Sequence, residues 1–291
     1  MLRLPLLYGA ARGPFLTAWS FDVPLVAGLA LAAAGYGLLL RRGRAAGRPV
    51  PAGWRAGAYA AGLVAIGLAL LGPIDAFDDD VFFLHMLQHL LLTQVAPPLL
   101  LLGQPLAVLF RGLPPRWTRR IARRRGLRAL LGGLTQPLVA LLLFNATLVI
   151  WHAPALYDAA VRHDQVHDLE HLTFFVLALG YWWRIVSPTP RHHRLAVPWL
   201  IGSLFATMMV GTALGAVLTL SSDVIYPAYL QATNPFGIAP LVDQQLGGLL
   251  MWIVGGAIYS AIALGTLVSH LSLAVEPDEE WAAGAVGDTR A

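Results

Sequence analysis

The chain contains no cysteine, which removes disulfides and any thiolate metal site. It contains no lysine either, so all 20 basic residues are arginine. Charge of both signs is scarce: Asp, Glu, Lys and Arg make up 12% of the 291 residues, where a soluble domain carries about 25%. Hydrophobic residues make up 57%, and the mean hydropathy is +0.64. The chain therefore reads as a polytopic membrane protein. No G-x-S-x-G elbow, P-loop or dinucleotide fingerprint is present. HMLQH has the spacing of a zincin motif, but Met86 stands where the general-base glutamate is required, which argues against a metalloprotease. A cleavable signal peptide is not expected, because Arg3 and Arg12 precede an apolar run that lacks a small-residue cleavage pattern. The pI near 9.8 reflects arginine-rich loops on one side of a membrane rather than a nucleic-acid partner.

What the chain does have is long apolar runs. At roughly 20 residues per crossing, its length suits an all-α bundle of seven transmembrane helices. The expected spans are Val23 to Leu40, Ala56 to Leu71, Val81 to Phe110, Leu130 to Trp151, Leu169 to Val186, Pro198 to Leu220 and Leu246 to Leu273. Residues 1–275 are expected to form one membrane domain. Residues 276–291 are expected to be a polar, disordered cytoplasmic tail. The third run is longer than a bilayer needs. Pro97 within it removes a backbone donor and crowds the preceding turn, so a kink or break is expected there.

The loops after spans one, three and five hold five, eight and three arginines, sixteen in all, while the alternate loops hold only Arg162. Basic loops face the cytoplasm, so the N-terminus is expected outside and the C-terminus inside. Arg3 and Arg12 argue mildly the other way. A re-entrant third run would put the eight-arginine loop outside, so that run is expected to cross once.

This topology gathers polar side chains at the outer end of the bundle. His85 and His89 stand at i and i+4, on one helical face, with Gln88 beside them. His152 ends span four. His163, His167 and His171 approach and enter span five, and form one stripe if that segment is helical throughout. Asp243, Gln244 and Gln245 stand at the mouth of span seven. Ionisable groups in lipid are costly and face a bundle interior or a cavity with partners. Histidines from three elements at one depth point to metal ligation, and imidazole suits Cu, Zn, Fe and Ni. Met86, Met208, Met209 and Met251 could add thioethers but read equally as core filler. Glu170 and Asp168 could orient an imidazole or merely mark the membrane boundary. Asp75 and Asp78 to Asp80 read as a solvated loop that could still collect cations before they reach the histidines. His192, His193 and His270 read as solvated or interfacial. Binding should weaken as the histidines protonate, because metal ligands are deprotonated. Paired histidines on facing helices leave haem open.

The string HMLQHLLLTQVAPPLLLLGQP resembles the signature of the CtaG-type, caa-type cytochrome c oxidase assembly factors. WHAPALYDAA, HDQVHDLEH, IYPAY and DQQLGGLLMW agree in content and order, so the resemblance covers about Gly62 to His270. It implies a seven-span protein of the bacterial plasma membrane. Its implied role is to supply copper to the His-ligated centre of a haem–copper oxidase, with the oxidase catalytic subunit as partner and an extracytoplasmic copper donor. The candidate ligands it carries over are His85, His89, His152, His167 and His171, with Asp243 and Gln244 as a polar pair; His163 matches less firmly. On this reading the protein is not an enzyme. The alternatives are a copper transporter, a haem-binding redox protein and a metal-free assembly scaffold.

Overall fold

A computed structural model describes residues 14–186 and 196–275, and every regular element among them is helical. In chain order these are α1 (Val23–Ala45), α2 (Gly53–Leu70), the short α3 (Pro73–Phe77), α4 (Phe82–Leu90), α5 (Ala96–Leu102), α6 (Pro105–Gly112), α7 (Pro115–Ala122), α8 (Arg125–Leu134), α9 (Pro137–Trp151), α10 (Pro154–Arg162), α11 (Asp164–Val186), α12 (Val197–Leu220), α13 (Pro240–Leu249) and α14 (Gly256–Val275). A π-helical turn, Leu91–Val95, joins α4 to α5, and a second, Leu250–Gly255, joins α13 to α14.

Helical stretches stand at all seven expected places. Five are long and apolar enough to cross a membrane: Val23–Ala45, Gly53–Phe77, Phe82–Gly112, Val197–Leu220 and Pro240–Val268. A sixth arises if Arg128–Leu134 and Pro137–Trp151, bent by 67°, count as one. The bend follows from Pro137, whose ring starts a new helix rather than continuing the old one. Leu31, Val64, Leu142, Val217 and Ile253 are each more than half exposed, as lipid-facing residues of a transmembrane bundle are.

The chain does not reverse at Pro97. Instead the helix widens into the π turn before it. Thr93 O would accept the amide of residue 97, which proline lacks, and the Trp182 indole supplies the missing donor at 2.7 Å. The sharper feature is Gln104, with φ of 52°, just before Pro105. Donors from α1 and α2 cover the carbonyls freed there: Tyr36 Oη donates to Gly103 O at 2.7 Å and Arg55 to Leu102 O at 3.0 Å. Two close backbone approaches hold the bundle. A Cβ on Gly215 of α12 would stand 2.7 Å from Gly248 O, and one on Gly112 would stand 2.5 Å from Leu39 O.

Several expected loops are structured. The arginine-rich stretch after the third run forms α7 and α8. The segment from Tyr157 to Asp168 is mostly helix, α10 followed by the start of α11. The acidic run is not simply solvated: Asp75 and Asp78 are buried. His192 and His193, and the tail from Glu276, lie outside the described residues.

Candidate metal centre

The centre is built where α4 meets α11, and each helix is held in place from outside. Val81 gives α4 no side-chain cap. Asp243 of α13 does that work: its carboxylate accepts from Phe82 N at 2.8 Å and Phe83 N at 3.0 Å, and Asn234 donates to it at 3.2 Å. Gln88 sets the rotation of α4 by donating to Ala69 O at 2.9 Å and to Asp75 Oδ1 at 3.2 Å. The i, i+4 pair His85 and His89 is thereby aimed at α11.

α11 answers with His167, Glu170 and His171, all buried. One donor atom from each of His85, His89, His167 and Glu170 can be chosen so that all four lie within 4.8 Å of one another. His85 Nε2 stands 3.8 Å from one Glu170 oxygen, and His89 Nε2 stands 3.6 Å from the other. A tetrahedral ion with bonds of about 2.1 Å places neighbouring ligands about 3.4 Å apart, close to the two His–Glu170 separations, so the group could close on one by drawing in its wider pairs. The rings of His85 and His89 meet edge to face at 4.3 Å, and His171 lies 4.1 Å from His167 and 5.4 Å from His89 by ring centroids.

The hydrogen-bonding balance is what sets this group apart. Both ring nitrogens of His85, both of His89 and both oxygens of Glu170 are buried without a hydrogen-bond partner. Buried polar groups are almost always paired, and an uncompensated buried carboxylate is costly. Glu170 is fully buried. A proton or a metal ion must balance it. Three imidazoles and a carboxylate are a donor set that fits a metal such as zinc or copper.

Above the centre sits an aromatic lid. Tyr157, Tyr226, Tyr229 and Phe82 stack together, with Tyr157 and Tyr226 centroids 3.9 Å apart and Tyr157 5.0 Å from His85. Tyr226 donates to His152 O at 3.1 Å and Tyr229 to Asp78 O at 3.0 Å, so the lid is fastened to the helix ends around it. Beside the centre, a cavity of about 700 Å³ lies between α1, α2 and α11. Its walls include Leu25, Leu29 and Phe175, and Asp75, Asp164, His167 and His171 also line it.

The candidate residues fall into distinct places. Asp78 joins the group, with a carboxylate oxygen 3.8 Å from His167 Nε2. His163 is exposed and caps α10 in extended backbone, so it breaks the stripe that His167 and His171 continue. Asp168 is exposed while Glu170 faces the histidines. Gln244 fastens the loop between α12 and α13, accepting from Ile225 N at 2.7 Å and donating to Leu218 O and Asp223 O. Met208 accepts from Ser260 and packs in the deep aromatic core around Trp182. His152, Met86 and Met251 line a separate small cavity that also touches His89. The lid tyrosines carry no readable metal-site signal in the sequence, and Asp78 reads only as part of an acidic run able to collect cations. The only trace of the tyrosines is their place in the motifs WHAPALYDAA and IYPAY.

The fold and the cluster define a polytopic helical membrane protein with a buried imidazole–carboxylate group that could hold a metal ion. The family model for the cytochrome c oxidase caa3 assembly factor (Caa3_CtaG) matches residues 34–272, and the chain belongs to that family. It is similar to uncharacterized protein Mb0105 of Mycobacterium bovis and to uncharacterized protein MT0111 of Mycobacterium tuberculosis. Each is 33% identical over 251 residues, 81% of this chain and 37% of the relative. Uncharacterized protein ML1998 of Mycobacterium leprae is 27% identical over 249 residues, 82% of this chain and 37% of the relative. The chain thus spans well under half the length of these relatives. No solved structure matches.

Proposed function

We propose that this oxidase assembly factor is a copper carrier and not an enzyme. In this reading it sits in the bacterial plasma membrane with seven crossings, N-terminus outside and C-terminus inside. It takes copper from an extracytoplasmic donor and passes it to the His-ligated copper centre of the oxidase catalytic subunit. The observation that carries this reading is the unpartnered set on His85, His89 and Glu170, a neutral-imidazole and carboxylate group whose electrostatics call for a cation. The metal supplies no reaction here; it is cargo. His85 and His89 offer lone pairs from one helix, Glu170 supplies the balancing charge from another, and the aromatic lid keeps bulk water away.

The direction of handover follows from access. The lid closes the outer axis, while the 700 Å³ cavity reaches His167 and His171 between helices. Copper would pass sideways, toward a partner in the same membrane. A haem needs a gap between axial ligands on facing helices, whereas the facing rings of His85 and His167 stack with centroids only 4.9 Å apart.

The test is the copper-to-haem ratio of the oxidase purified from a deletion strain and its parent. We expect haem to be retained, the ratio and oxidase activity to fall, and excess copper to restore part of both. An unchanged ratio would rule out delivery and leave a scaffolding role. Loss of copper from every copper enzyme behind the membrane would point to transport instead.

A further inference from the structure

His152 does not belong to the four-residue group. Its Nδ1 lies 2.7 Å from Leu148 O, so Nδ1 carries the proton and donates, and Nε2 is left with a free lone pair. That Nε2 is buried and has no hydrogen-bond partner. His152 as a whole is only 7% exposed. It lines a partly open space of about 40 Å³ between α4, α9, α12 and the second π turn, together with Met86, His89 and Met251. The space has room for at least one water-sized particle, since about 10–15 Å³ of such volume holds a water. Most of the remaining wall is apolar, with Phe144, Leu148 and Phe174 among it.

We infer that this space is a second metal position, a soft imidazole–thioether site for a monovalent ion such as copper(I), made by His152 Nε2, Met86, Met251 and His89. The chemistry differs from that of the outer cluster. Imidazole with carboxylate suits a divalent ion, whereas thioether sulfur and an apolar wall favour a soft ion of single charge. His89 has two unpartnered nitrogens and borders both places, so it joins them. A copper(I) ion that enters through the outer cluster could therefore be passed to the inner position as copper(I), with no change of oxidation state and without leaving the protein. The inference adds a second site to the proposed copper handling, and it depends on that reading only for the identity of the ion in the cell.

The experiment uses the purified full chain in detergent, silver(I) as the soft probe, cobalt(II) as the divalent probe, and X-ray absorption of the copper(I)-loaded protein. Leucine conserves the volume of methionine, so Met86→Leu/Met251→Leu should keep the core packed. We expect the wild type to show sulfur among the nearest neighbours of copper(I). The double variant should lose that sulfur and bind silver(I) at least tenfold more weakly, with its cobalt(II) binding kept. Met251→Leu alone, at the less buried wall, should weaken silver(I) in the same direction, and it decides the matter if the double variant loses both probes. Wild-type silver(I) affinity in Met251→Leu, or copper(I) with only nitrogen and oxygen neighbours in the wild type, overturns the inference: the space would then hold a water bridging His152 to Thr207 or Gln94. Failure of cobalt(II) to bind the wild type would count against the outer cluster and leave the soft site standing.

Discussion

Replacing Asp243 separates two roles that a buried carboxylate at the bundle mouth could play. Its oxygens accept from Phe82 N and Phe83 N, and neither amide has an alternative within α4, because the first four amides of a helix have no intrahelical acceptor. An N-cap changed to alanine costs about 0.5–2 kcal/mol. Leaving a buried donor unsatisfied costs about 1–3 kcal/mol and losing a part-buried hydrogen bond about 0.5–1.5 kcal/mol, so Asp243→Ala, which strands the buried Phe82 amide and the part-buried Phe83 amide, should destabilise the protein by about 2–4 kcal/mol. Taking about 2 °C per kcal/mol for a chain of this size, the melting temperature in detergent should fall by about 4–8 °C. Asp243→Asn keeps one acceptor and should lose roughly half as much. His85 stands on the first turn of the same helix, so divalent binding should weaken in proportion to the loss of stability. Thermal unfolding followed by tryptophan fluorescence, with cobalt(II) titration of the same samples, measures both. If Asp243→Asn abolished cobalt(II) binding with no change in melting temperature, Asp243 would be a ligand, and its capping of α4 would be incidental.

Three further outcomes are expected. His85→Ala and His89→Ala should each abolish stoichiometric cobalt(II) binding at the four-residue group, measured by elemental analysis, whereas His163→Ala, at an exposed helix break, should leave it intact; full cobalt(II) occupancy in a His85/His89 double variant would refute the cluster. Gly215→Leu should cost several kcal/mol or prevent folding, because its Cβ would stand 2.7 Å from Gly248 O and neither backbone can yield; unaltered thermal stability would refute that close approach. Cysteines placed singly between Arg116 and Arg125, in a chain with none of its own, should react with impermeant reagents only after the membrane is broken, and labelling from outside would reverse the proposed orientation.

The parts legible in the sequence were those that obey a helical period. Of the seven expected runs, five are helices long and apolar enough to cross a membrane and a sixth is the bent pair, while Leu169 to Val186 is helical but not among them. His85 with His89 was visible as an i, i+4 pair. Glu170 was seen as a candidate, but its inward aim was not separable from that of Asp168. They differ by two residues, and only the phase of α11 decides which one faces the histidines. The stripe through His163 failed because that residue leaves helical backbone at the junction of α10 and α11. Asp78 and the lid tyrosines come from short or irregular segments where spacing carries no direction. Neither π turn could be read. The first has Pro97 as its cue, and the second, at Leu250–Gly255, has no proline in it.

The first π turn fixes an arithmetic on the chain. A π turn carries one residue more than the α-helical register would, and one residue is about 100° of rotation. On its N-terminal side the helix shows His85 and His89 to α11; on its C-terminal side Leu100 packs against Gly62 of α2. Both seams are satisfied only because the extra residue between Leu91 and Val95 turns one half of the helix relative to the other. Deleting any single residue there would give a more regular helix and a worse protein, since either the histidines or the leucine seam would swing out of phase. Length in this stretch is therefore as strictly constrained as the identity of the histidines, and indels are the changes it should tolerate least.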